Sequence, residues 1–171
     1  MNNVEIASTV FRDIRDWILE NPEVETGGVM LGQYDNVDTP SIIFVTPSGM
    51  NAHQGALSFQ AEEAFIQGAV FAANHMTNGE IHYMGLWHSH PTGNPQPSPR
   101  DLDACMEMHE AAMAAESPAP LMLIAALGDG SLEFTAWGVV NHVVERFSIR
   151  EFEKFELTIT HELSFPARVE A

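Results

Sequence analysis

The chain has 171 residues, 45% of them hydrophobic, enough to bury one core and too few for two ordinary domains. Seven basic against 24 acidic side chains give a formal charge of −17, a field that repels nucleic-acid phosphate and anionic membranes, so neither is expected as a partner. A single cysteine excludes an intrachain disulfide, no apolar run approaches bilayer length, and Met1-Asn2-Asn3-Val4-Glu5 has no signal-sequence character, so a soluble cytoplasmic protein is expected.

In chain order, the start runs into an amphipathic helix that Thr9 can cap, with Val10, Phe11, Ile14, Trp17 and Ile18 recurring at three and four and Asn21-Pro22 ending it. Val29 to Tyr34 and Ile42 to Thr46 read as strands joined by the polar turn Asp35 to Pro40. Ser48 to Gly55 is loop-like, and His53 there can border a substrate groove. A helix from about Gln60 to Met76 sets Ala61, Phe65, Ala69, Ala72 and Met76 on one side, and Asn78-Gly79 breaks it. Ile81 to Trp87 is a strand leading into His88-Ser89-His90-Pro91. The prolines 91, 95, 97 and 99 stiffen the following loop. The helix from Pro99 to about Ala115 is expected to bury Leu102, Cys105, Met106, His109, Ala112 and Met113. Leu121 to Leu127 is continuously apolar, the mark of a strand covered on both faces, and Asp129-Gly130 turns it into Leu132 to Val140. Val143 to Ile149 is a last strand. The whole predicts an α/β domain over residues 1–150, a mixed β-sheet flanked by helices, with residues 151–171 an extension packed on it or contacting a partner.

Residues i and i+2 of an extended backbone point the same way, so His88 and His90 project together while Ser89 faces elsewhere. With Asp101 as third ligand they can hold one Zn2+, and three protein ligands leave a fourth position for water, the catalytic rather than the structural arrangement. Such a site also needs a base. Glu25 is the best candidate, because the adjoining Gly27-Gly28 lets backbone come close to a neighbouring strand or ligand; Glu23 and Glu20 are its rivals. Each element has a plainer reading. Ser98-Pro99-Arg100-Asp101 is also a helix start, with serine at the N-cap, proline at N1 and an acid at N3.

Glu25-Thr26-Gly27-Gly28, His88-Ser89-His90-Pro91, Ser98 and Asp101 together resemble the JAMM motif of the JAB/MPN metalloprotease family. The resemblance spans positions 25 to 101 and, in the order of apolar segments, extends to about residue 150. It implies the JAB/MPN fold, related in topology to cytidine deaminases. It also implies zinc on His88, His90 and Asp101, Glu25 as general acid/base, and Ser98 helping to hold the oxyanion. The reaction it implies is cleavage of an isopeptide or peptide bond after the C-terminal glycine of a ubiquitin-like protein. Partners would be that protein or its conjugates and the enzymes of a bacterial conjugation pathway, including antiviral defence systems. Two alternatives resemble the same motif: a RadC-like DNA-associated JAB protein, which the charge opposes, and a non-catalytic MPN-type scaffold, which usually lacks the ligands this chain keeps. Deaminase chemistry is excluded by the absence of a Pro-Cys-x-x-Cys segment.

Overall fold

The computed structural model describes residues 2–34 and 39–153. Residues 35–38 of the turn expected over 35–40, and residues 154–171 of the extension expected over 151–171, lie outside the described residues.

Among the described residues, nine strands and three helices follow in the order β1 (Asn3–Ala7), α1 (Ser8–Glu20), β2 (Gly27–Tyr34), β3 (Pro40–Val45), β4 (His53–Gly55), β5 (Ser58–Gln60), α2 (Glu63–Met76), β6 (His82–His90), α3 (Pro99–Ala114), β7 (Leu121–Leu127), β8 (Leu132–Val140) and β9 (Val143–Phe152). Seven strands form one mixed sheet in the order β1-β3-β2-β6-β7-β8-β9, and β4 and β5 make a separate hairpin. The expected flanked sheet needs one correction, because the sheet closes into a barrel. The closing strand is β1, which pairs in parallel with β3 on one side and with β9 on the other. Asn3–Ala7 is too short to show a clear period, so the sequence reads as a helix starting early; the structure spends these residues on closure, and α1 starts at Ser8 behind Ala7 with no side-chain cap. Thr9 therefore lies inside the helix rather than capping it.

Helices cover both faces of the sheet. Val10, Ile14 and Ile18 of α1 pack with Ile6, Met30, Ile42, Met84, Trp87 and Leu123 in the largest core cluster. On the opposite face α2 sets Ile66, Ala69, Val70 and Ala73 against Val29, Leu31, Ile43 and Ile81. Beside it, α3 brings Cys105 onto Met122, Ile124 and Val139. Along β7, Leu121, Leu123 and Ala125 join the α1 cluster while Met122 and Ile124 join the α3 cluster, which is why that strand has no polar face. Two helix faces differ from expectation. Phe65 and Met76 are exposed, since the sheet selects the Ile66/Ala69/Val70/Ala73 side of a helix that is apolar nearly all round. On α3, Leu102 and Met113 are also exposed, leaving Cys105 and Ala112 as its buried residues.

A bulge in β6 prepares the site. Gly85 pairs with Met30 but Tyr83 with Leu31, so Met84 is an extra residue on this strand. The irregularity puts Met84 and Trp87, three apart, on the same α1-facing core. Gly85 has φ +127°, and a Cβ there would overlap the Leu121 carbonyl oxygen of the adjacent strand, so only glycine fits.

Candidate metal centre

The strand continues through the motif rather than ending before it, and His88 and His90 are its last alternating positions on the outward face. Both are buried, with ring centroids 4.9 Å apart and Nε2 atoms 3.0 Å apart. Parallel pairing of β6 with β7 sends the chain across the sheet through α3, whose first turn returns Asp101 to the end of β6. Asp101 Oδ1 lies 3.2 Å from His88 Nε2, and Oδ2 lies 3.4 Å from His90 Nε2. Taken to either carboxylate oxygen, these separations lie near the ~3.3 Å between donors that tetrahedral zinc with bonds of about 2.0–2.1 Å imposes. Among the described residues this is the group of three donors that could hold a metal ion.

Two of the three donors are oriented from behind. His90 Nδ1 lies 2.8 Å from the Asn94 carbonyl, which can only accept, so Nδ1 carries a proton and Nε2 is turned inward toward His88 and Asp101. Asp101 is fixed by a capping box: Ser98 Oγ accepts from the Asp101 amide at 3.2 Å, and Asp101 Oδ2 accepts from the Ser98 amide at 2.7 Å. The helix-start reading and the ligand reading thus describe the same carboxylate. The intervening loop is pinned to β8 by Thr135, whose hydroxyl donates to the Pro95 carbonyl at 2.6 Å and accepts from Trp137 Nε1 at 2.9 Å.

Glu25 sits just before β2 and lines the same cleft, of about 130 Å³, as His88, Ser98 and Asp101. Its backbone amide donates to the Gly55 carbonyl of the β4–β5 hairpin at 2.7 Å. That hairpin places Leu57, Ser58 and Phe59 on the rim, with the Phe59 ring close over Gly27. Its His53 is exposed and faces Ser58 at 3.5 Å instead of lining the cleft. A Cβ at Gly27 would overlap the Trp87 carbonyl, and one at Gly28 the Thr46 carbonyl, so both glycines answer to close backbone approach. Glu23 is exposed and outside the cleft, as is Glu20 at the end of α1.

The family described as prokaryotic homologs of the JAB domain matches residues 7–140. The chain belongs to that family. A 100-residue stretch, 58% of this chain, is 27% identical to a CD-NTase/cGAS isopeptidase of Enterobacter hormaechei subsp. hoffmannii (strain UCI 50), and the match spans about half of that protein, 54%. The solution structure of protein DSY2949 from Desulfitobacterium hafniense superposes with a TM-score of 0.67 at 18% identity, covering 93% of this chain and 99% of that one, and shares the fold.

Within this JAB domain the sequence did not single out the fastening between the two halves of the site. The Thr26 amide donates to Ser89 Oγ at 2.9 Å, and the Ser89 amide donates to the Thr26 carbonyl at 2.7 Å, tying the Glu25 segment to the histidine strand. Ser89 is buried, and Gln54 of the hairpin donates to Thr26 Oγ1 at 3.1 Å. The available signal was alternation: a serine between two outward histidines must face the interior, where a hydroxyl needs a partner. Burial pushes the Glu25 carboxyl above its ordinary range, a tendency that His88 and His90 partly oppose. For Asp101 burial also pushes upward, but hydrogen bonds with His88 and His90, the nearby His88 charge and the Ser98 side chain outweigh it and hold the carboxyl well below the carboxylate range. Its hydrogen bond to His90 in turn raises that imidazole, against burial. Such a charge-stabilised carboxylate beside two imidazoles is a donor set suited to a divalent cation.

Proposed function

We propose that the chain is a JAMM-type zinc hydrolase, an isopeptidase or peptidase that releases or processes a ubiquitin-like protein at its C-terminal glycine in a bacterial conjugation pathway, including antiviral defence. The observation that carries this reading is the convergence of two Nε2 atoms and one carboxylate within 4.8 Å of one another, in a cleft that Glu25 also lines. His88, His90 and Asp101 would hold the ion. When bound, zinc supplies Lewis acidity, acidifying water and polarising a carbonyl. Glu25 takes the proton from the attacking water and hands it to the leaving amine, a role to which a carboxyl raised by burial is suited. Ser98 Oγ accepts from the Asp101 amide and lines the cleft, where its hydroxyl would turn its proton to an oxyanion in front of the helix. The small cleft, walled on one side by Phe59, favours a tail of small residues, as in a di-glycine terminus, and the Enterobacter relative is named an isopeptidase.

The test is cleavage of a ubiquitin-like protein carrying a C-terminal extension or a lysine isopeptide, with product masses read by mass spectrometry. Activity should vanish on chelation, return with zinc, and be absent from Glu25→Ala and His88→Ala. Cleavage that persists in the metal-free protein or in Glu25→Ala rejects the mechanism.

A further inference from the structure

Seven basic side chains serve a chain with 24 acidic ones, and five of them, all arginines, fall among the described residues. Four are ion-paired: Arg12 with Asp13 at 3.2 Å, Arg15 with Asp16 at 2.9 Å, Arg146 with Glu133 at 3.8 Å and Arg150 with Glu5 at 3.3 Å. Arg100 is the fifth. It is exposed, makes no ion pair among the described residues, and lines the cleft with Glu25 and Asp101. Its charge acts on Glu25, yet no carboxylate of the described residues lies within ion-pair distance of it, so the guanidinium keeps its paired donors for a ligand. The rim also carries Leu57, 78% exposed, and Phe59.

We propose that Arg100 is a substrate anchor that binds the carboxylate of an aspartate or glutamate within one or two residues of the scissile bond. This rests on the peptidase reading for the word scissile, but the anion site itself does not. The forked guanidinium matches a carboxylate with two parallel hydrogen bonds, a geometry that neither a lysine nor a neutral amide reproduces. An extended residue advances about 3.3 Å, so in a cleft this small a group on the rim meets the side chains flanking the reacting carbonyl and not distant ones. Elsewhere the charge of −17 repels an acidic partner, which makes Arg100 the discriminating contact.

The experiment is fluorescence anisotropy with labelled peptides containing Gly-Gly-Lys in which one flanking position on either side is Asp, Asn or Lys. The zinc-loaded full chain carries Glu25→Gln so that binding is read without turnover. The best Asp peptide should bind about tenfold more tightly than its Asn isostere at low salt, with the difference shrinking as salt rises. Arg100→Gln should erase the difference and Arg100→Lys restore part of it. Equal affinity for Asp and Asn peptides, a preference that survives Arg100→Gln, or no binding at all overturns the proposal. An Asp preference in a wild-type protein that cleaves nothing would retain the anchor and remove the peptidase reading.

Discussion

Glu25 is where stability and chemistry pull apart. Its carboxyl is raised by burial, so the proton-linked contribution to stability is fully present below the ordinary glutamate value of 4.5 and is lost as pH rises through the higher folded value. Above that folded value the metal-free fold carries an ionised group it would hold more easily neutral. In chelator, Glu25→Gln should melt above wild type at pH 7 and at the same temperature below pH 4, while losing on the order of 10²–10⁴-fold in turnover with zinc. Thermal scans at the two pH values and a cleavage assay check both halves. Ser98 should separate in the same way: Ser98→Ala loses the cap to the Asp101 amide, at about 1 kcal/mol, so it should loosen the proposed ligand and also remove the proposed oxyanion donor. Zinc affinity by competition with a chromophoric chelator should fall together with activity. Unchanged affinity would leave Ser98 only its oxyanion role.

At the scale of elements, the site is a junction between β6 and the segment entering β2, fastened by the Thr26–Ser89 pair. Ser89→Ala leaves the Thr26 amide without its buried acceptor, a loss of about 1–3 kcal/mol in urea unfolding, and should lower turnover although Ser89 faces away from the cleft. The bulge matters as much. Gly85→Ala must move the Leu121 backbone or abandon φ +127°, so it should cost at least 1–3 kcal/mol and disturb the register that aims the histidines. Circular dichroism melts and zinc stoichiometry read these two effects separately.

For the molecule as a whole, a ligand that binds only the folded barrel stabilises it. With free zinc at about 100 times its dissociation constant the gain is about 2.7 kcal/mol, visible as a higher melting temperature that chelation reverses. His88→Ala should abolish that response. A melting temperature indifferent to zinc would contradict the coordination geometry.

What the sequence by itself determined was local. The alternation of His88 and His90, the serine, proline and aspartate that start α3, the two-sided burial of β7 and the span of β8 all follow from period, turn chemistry and capping, which act over a few residues. The tertiary structure alone decided which of three glutamates enters the cleft, which side of an almost uniformly apolar α2 turns inward, and how β1 closes the sheet between β3 and β9. Those outcomes depend on partners in other elements of the fold, and no periodicity within a segment records what will be packed against it.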